Sequence, residues 1–153
     1  MSQKDGRKEG EDQMIGAYPH SIDPKGRLFV PAPFRSKLGN DIVIAKSVIG
    51  DCLRIYSAAK WDEFYQEKIK DLPQIEAFEV SFWLTSNAER ARIDDQGRIA
   101  IKAGYREFAN LKTEIVSCGR GEYIEIWNAQ EFEKKQQSID MNKVREILMK
   151  RGF

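Results

Sequence analysis

The hydrophobic and polar positions of this chain run through the same order twice. Residues 22–58 reappear at 93–129 with a constant offset of 71 and no gap. Ile22-Asp23-Pro24-Lys25-Gly26-Arg27 matches Ile93-Asp94-Asp95-Gln96-Gly97-Arg98, and Arg35, Ile44, Gly50, Ile55 and Ala58 match Arg106, Ile115, Gly121, Ile126 and Ala129. A register this regular means one structural unit used twice. Within each copy the pattern predicts the elements. Residues 15–23 read as extended, and a turn follows at Asp23–Gly26 or Asp94–Gly97. Short strands, Arg27–Val30 and Arg98–Ile101, leave the turns. Short helices are expected at Pro33–Leu38 and Gly104–Ala109. Ile42–Ala45 and Glu114–Ser117 read as strands, each joined through a turn near Gly50 or Gly121 to an alternating strand. Leu53 and Ile55 share one face of that second strand in the first copy, and Ile124 and Ile126 do so in the second.

Helical periodicity follows each alternating strand. Ser57 and Asn128 are suited to cap helices over 58–70 and 129–137. Trp61, Phe64, Tyr65, Lys68 and Ile69 fall on one side of the first. Residues 74–86 carry Ile75, Phe78, Phe82 and Trp83, which predicts an amphipathic helix linking the copies. Met141, Val144, Ile147 and Leu148 form the stripe of a last helix capped by Ser138 or Asp140. The expected organisation is a flexible tail (1–13), a first copy (14–73), a linking helix (74–86), a second copy (87–137) and a C-terminal helix (138–153). No Gly/Ser-rich or Pro-rich linker separates the copies. One pseudo-twofold unit is therefore expected, not two beads on a string.

The turn chemistry is specific. Pro24 presets the backbone of the first turn, and Gly26 and Gly97 supply the left-handed residue of a three-residue connection with a bulge. Asp23 and Asp94 can accept hydrogen bonds from turn amides. Each turn is an Asp-x-x-x-Arg unit in which the two charged side chains can meet. One reading is a guanidinium, oriented by the carboxylate, offered to a phosphate or a guanine edge. The plainer reading is a hairpin that caps itself with a salt bridge. An exposed ion pair contributes only about 0–1 kcal/mol. Two copies in register, each followed by a further arginine (Arg35, Arg106), favour the first reading.

Charge sharpens this picture. The 153 residues are 41% hydrophobic and 32% charged, with a net charge of +1. That composition reads as soluble and globular. Near-neutrality argues against a protein that coats nucleic acid by charge alone. Locally, residues 20–38 hold Lys25, Arg27, Arg35 and Lys37 against Asp23, and residues 89–106 hold Arg90, Arg92, Arg98, Lys102 and Arg106 against Glu89, Asp94 and Asp95. Basic charge thus gathers around the two turns. Cys52 and Cys118 lack CxxC partners, so reduced thiols in a cytoplasmic protein are expected and zinc is not. There is no Walker loop, metal cluster or catalytic triad, and Gly119-Arg120-Gly121-Glu122 falls in a turn. His20, the only histidine, reads as a polar surface residue. The aromatics are expected in the core or at subunit contacts, with Phe78, Phe82 and Trp83 the best candidates for an interface.

Asp23-Pro24-Lys25-Gly26-Arg27-Leu28-Phe29-Val30-Pro31-Ala32-Pro33-Phe34-Arg35 resembles the first signature of the MraZ family, and Asp94-Asp95-Gln96-Gly97-Arg98-Ile99-Ala100-Ile101 resembles its second. Leu53–Tyr56 before Trp61 and Tyr123–Trp127 before Phe132 are similar to the family in the corresponding places. The resemblance covers about residues 15–137. It implies a mainly β fold with added helices: a swapped-hairpin, AbrB-like double-split barrel made by the two tandem copies. It also implies a bacterial transcription factor for the division and cell-wall gene cluster, cytoplasmic and nucleoid-associated. Such a regulator binds direct repeats in its own promoter and assembles as a homo-oligomeric ring. By position, Arg27, Arg98 and Lys25 fall to DNA contact, and Asp23, Gly26, Asp94 and Gly97 to turn orientation. Arg35 and Arg106 support the site by ion pairing or contact phosphate. Lys102 departs from the family, which usually has proline there. No catalysis, cofactor, metal, membrane or small-molecule substrate is expected. Two other classes stay open: a protein-binding module of the antitoxin type using the same barrel, with the C-terminal stripe as partner surface, and an enzyme acting through the Asp/Arg pairs.

Overall fold

Alternation builds the framework and the turns decide how it is wired. The computed structural model describes residues 12–153, and residues 1–11 of the expected tail 1–13 lie outside the described residues. The first copy supplies β1 (Ala17–Ser21), β2 (Arg27–Phe29), α1 (Ala32–Leu38), β3 (Asp41–Lys46), β4 (Leu53–Ser57) and α2 (Ala58–Ile69). After α3 (Gln74–Ser86) the same order returns as β5 (Ala88–Arg92), β6 (Arg98–Ala100), α4 (Ala103–Phe108), β7 (Glu114–Gly119), β8 (Ile124–Asn128) and α5 (Ala129–Ser138). The chain then forms α6 (Met141–Lys150). The framework is mainly β sheet, with six helices among the described residues.

The strands flanking each turn do not pair with one another, so the simple hairpin expected from sequence is corrected. β1 pairs antiparallel with β7, β5 with β3, and β2 with β6. Each of these ladders joins the first copy to the second. The result is a six-stranded sheet of order β1-β7-β8-β4-β3-β5 and a separate two-stranded ribbon of β2 and β6. The ladders do not close into a barrel. Read in copy-equivalent strands, the sheet order is a palindrome, with its centre between β4 and β8. Leu28 pairs with Ile99 in the ribbon and Arg54 with Glu125 in the sheet. Each of these is a residue facing its own counterpart, so the pseudo-twofold axis passes through both pairs.

Burial explains the wiring. Leu28, Ile99, Phe34, Ile42, Ile44, Leu53, Ile55, Ile115, Ile124 and Ile126 form one core. It lies between the ribbon and one face of the sheet, and neither ribbon strand could cover it alone. Val43, Ala45 and Tyr56 point the other way and pack with Trp61 and Leu84 from α2 and α3. β3 is thus buried on both faces, which is why it reads as an unbroken apolar run. Ser57 caps α2 by accepting from the Lys60 amide, and Asn128 caps α5 by accepting from Gln130 and Glu131. Asp140 caps α6.

α3 departs from the amphipathic expectation. Only Leu84 is buried, with Val80 packed beside the second core, while Ile75, Phe78 and Phe82 stand exposed. Apolar side chains all around this helix exceed what one neighbouring element can cover. On α6, Met141, Ile147 and Leu148 are likewise exposed. No helix among the described residues is long and apolar enough to cross a membrane.

Candidate nucleic-acid interface

Each turn is a small, fully bonded unit. The Asp23 amide donates to the Arg27 carbonyl at 2.8 Å and the Gly26 amide to the Asp23 carbonyl at 2.9 Å. In the second copy, Asp94 and Gly97 make the corresponding bonds at 2.9 Å each. Gly26 (φ +82°) and Gly97 (φ +83°) take the left-handed backbone that the bulged turn demands. Asp23 Oδ1 accepts from the amides of Lys25 and Arg27, and Asp94 Oδ1 from those of Gln96 and Arg98, all at 2.9 Å.

The other carboxylate oxygen holds the arginine. Arg27 Nε donates to Asp23 Oδ2 at 2.8 Å, and Arg98 Nε to Asp94 Oδ2 at 3.1 Å. This grip takes Nε of each guanidinium and leaves the terminal-nitrogen edge outside that bond, with the Arg27 side chain 37% exposed and that of Arg98 24%. That edge is the one that pairs in bidentate fashion with a guanine or a phosphate. The Arg27 and Arg98 amides, followed by the rest of each turn's bonding, hold the Asp23 and Asp94 carboxyls below the ordinary carboxylate range. Both therefore stay ionised and keep their arginines oriented at neutral pH.

The ribbon then brings the two arginines onto one face. Leu28 and Ile99 point into the core, so Arg27, Phe29, Arg98 and Ala100 point out. Arg27 lies opposite Ala100, and Phe29 opposite Arg98. The arginines are diagonal neighbours, about 7–8 Å apart at their Cα atoms. That spacing corresponds to roughly two base-pair steps of about 3.4 Å.

Arg35 and Arg106 act across the copies. Arg35 Nε donates to the Val30 carbonyl at 3.0 Å, while the Val30 amide donates to the Gly97 carbonyl at 2.9 Å. A methyl group placed on Gly97 would lie 2.6 Å from Arg35 Nη1. In the mirror arrangement, Arg106 Nη1 donates to the Ile101 carbonyl, the Ile101 amide donates to the Gly26 carbonyl at 2.7 Å, and the Arg106 guanidinium lies against Gly26. Each copy's arginine thus seats the other copy's turn, and both turn glycines are buried as a result. This support runs through main-chain carbonyls and close packing, not through the ion pairing offered as one sequence-based option. The constant offset signalled both arginines but not that they cross over.

Other predicted groups fall differently. Arg90 pairs with Asp62 at 3.1 Å, Arg92 with Asp41 and Lys102 with Glu89 at 3.3 Å each. Much of the basic charge counted near the second turn is therefore neutralised on the spot, while Lys25 is exposed at the first turn's tip. Lys102 adopts φ −68° and ψ 157°, close to the φ −53° and ψ 136° of its counterpart Pro31. The missing proline leaves the strand end intact. His20 is half-buried, with Nε2 2.7 Å from Ser117 Oγ, and burial pushes its pKa down. It joins β1 to β7 at the surface, where it is half covered. Cys52 is buried, and desolvation, then the Glu125 charge, push its thiol up to about 12.

A doubled strand–turn–strand unit, exchanged between copies and presenting two oriented arginines on one ribbon, defines a class of tandem-repeat proteins built around paired Asp-x-x-x-Arg turns. The family model described as "MraZ protein, putative antitoxin-like" matches twice, at residues 14–82 and 84–150. The chain belongs to the MraZ family. It is 35% identical over 144 residues to the "Transcriptional regulator MraZ" of Clostridium acetobutylicum, covering 91% of this chain and 99% of the relative. It is 40% identical to the protein of that name from Heliobacterium modesticaldum, covering 78% and 84% of the two chains. The one from Pelotomaculum thermopropionicum is 41% identical, covering 78% and 82%.

Proposed function

We propose that this protein is a transcriptional regulator that binds double-stranded DNA through the β2–β6 ribbon. The observation that carries this reading is the pair of carboxylate-held arginines, Arg27 and Arg98, set diagonally on one exposed face. A two-stranded ribbon fits the major groove, and outward guanidinium edges are the groups that read guanine there. Lys25 adds a phosphate contact at the first tip, Asp23 and Asp94 orient the arginines, and Arg35 and Arg106 seat the turns on Gly97 and Gly26. The exchange of β1, β2 and β5 between the copies supports a swapped-hairpin, AbrB-like double-split arrangement of two units, 14–73 and 87–137, linked by the helix over 74–86.

One subunit with net charge +1 makes few phosphate contacts and binds weakly. A ring of subunits engaging several direct repeats gains affinity through effective concentration. The exposed Phe78 and Phe82 of α3 are the subunit contacts in this reading. In this reading the target is the promoter of its own division and cell-wall gene cluster, as the resemblance of the two signatures implies, and the protein acts on the nucleoid in the cytoplasm. Fluorescence anisotropy over a salt series tests this. Labelled DNA from upstream of the protein's own gene binds more tightly than a scrambled duplex, and binding weakens as salt rises. Equal, weak binding to both duplexes overturns the proposal.

A second reading has one observation in its favour. Met141, Ile147 and Leu148 leave an apolar stripe exposed on α6, suited to a protein partner of the antitoxin type. Co-purification of a small second protein with the native chain, lost on Ile147→Glu, would favour it.

A further inference from the structure

The pseudo-twofold is broken on the outward face of the ribbon. Phe29 and Ala100 are equivalent positions at the offset of 71. Both point away from the core, because Leu28 and Ile99 between their neighbours are buried. Phe29 is 56% exposed. A lone exposed apolar side chain is ordinary on a protein surface, so its position carries the argument. It stands directly opposite Arg98 and two residues along from Arg27, on the same face. Directly opposed side chains have Cβ atoms about 5 Å apart. The phenyl ring therefore neighbours both arginines, Arg98 across the ribbon and Arg27 along its own strand, and is the one bulky apolar group of that four-residue face.

Base-pair edges in the major groove differ in one apolar feature. Guanine and adenine offer N7 and an exocyclic group, cytosine an amino group, and thymine a C5 methyl. A phenyl ring beside a guanine-reading arginine has a single complementary partner within a base-pair step, the thymine methyl. We infer that Phe29 is a specificity-determining residue that selects a thymine next to the base edge taken by Arg98. The first copy alone has this reader. The side chain of Ala100, opposite Arg27, is shorter by a phenyl ring and gives much less cover to a methyl. The ribbon thus reads an asymmetric sequence from a nearly symmetric backbone, which suits direct repeats better than inverted ones. This inference rests on the DNA-binding reading.

Replacing thymine by deoxyuridine removes the methyl and leaves the pairing unchanged, so it isolates the contact. Anisotropy with the full chain compares the native upstream duplex with its all-deoxyuridine counterpart. One methyl buried against the ring corresponds to about fourfold in affinity. The wild-type preference for the thymine duplex should therefore exceed that of Phe29→Ala by about fourfold, with the variant's circular dichroism and assembly unchanged. Equal wild-type affinity for the two duplexes overturns the inference without any variant. So does a Phe29→Ala protein that weakens equally on both, the mark of a wedge between base steps, or one whose assembly changes, the mark of a subunit contact. Failure of wild type to prefer the native over a scrambled duplex is a separate outcome. It removes the DNA-binding reading itself, and this inference with it.

Discussion

Two buried glycines and two carboxylates set the geometry of the turns. At Gly26, an added methyl would lie 2.6 Å from the Ile101 carbonyl and collide with Arg106, whereas at Gly97 its three nearest neighbours all belong to the Arg35 side chain. A left-handed backbone costs an L-residue about 1–2 kcal/mol in either case. Urea denaturation should therefore show Gly97→Ala losing about that much and Gly26→Ala distinctly more, since a backbone carbonyl cannot swing aside as an arginine can. The carboxyls carry a pH signature. Their folded pKa values are depressed, so the turn stabilisation is present above the ordinary carboxylate value of about 3.9. It is lost only as pH falls through the lower folded value. An NMR titration of the Asp23 and Asp94 carboxyl carbons should place both midpoints below that of a model aspartate. Midpoints at or above it would mean that the turn amides do not hold them. The Asp/Arg pairs were legible in the sequence because the partners lie four residues apart. The seats of Arg35 on Gly97 and Arg106 on Gly26 were not, because they depend on which strand crosses to which copy.

Among the elements, strands and caps followed from local signals. The alternation of Leu53 with Ile55 and of Ile124 with Ile126 places both pairs in the core, and Ser57 and Asn128 cap as their side chains allow. The pairing of β2 with β6 had no local signal. Three-residue strands carry too little pattern to specify a partner, and burial of Leu28 against Ile99 decides it. α3 misled for the opposite reason: its apolar residues are plentiful but do not fall on one side. In the assembled ring proposed above, those exposed aromatics are covered. Phe82→Glu should therefore lower the mass measured by light scattering while leaving the monomer's melting temperature within a few degrees. An unchanged mass would remove α3 from the interface.

Over the whole molecule, the axis position in the sheet is informative. Arg54 faces its counterpart Glu125, and Glu125 also accepts from Arg120 Nη1 and Trp127 Nε1, both at 2.9 Å. Arg54 Nε lies 3.8 Å from Glu125 Oε2, and its guanidinium stacks over Tyr123 at 4.2 Å. Two identical units would place arginine against arginine or glutamate against glutamate here. Opposite charges on the axis need two different copies in one chain. Glu125→Arg recreates the like-charged pair in a largely buried site and should cost about 3 kcal/mol or more, read by urea denaturation. The same exchange of strands makes each copy incomplete. Fragments cut between α3 and β5 should each lack cooperative melting and regain it on mixing. A fragment that melts cooperatively alone would contradict the interleaved core. The repeat was plain in the sequence, but its interleaving entered only through the resemblance, since an offset says that a unit recurs and not how its copies engage.

The most direct test is anisotropy of native upstream DNA with Arg27→Ala, run beside size-exclusion chromatography of the same preparation. Specific binding should be lost while elution and circular dichroism match the wild type. Retained specific binding, or loss of the assembly together with binding, would contradict a ribbon that reads DNA through its carboxylate-held arginines.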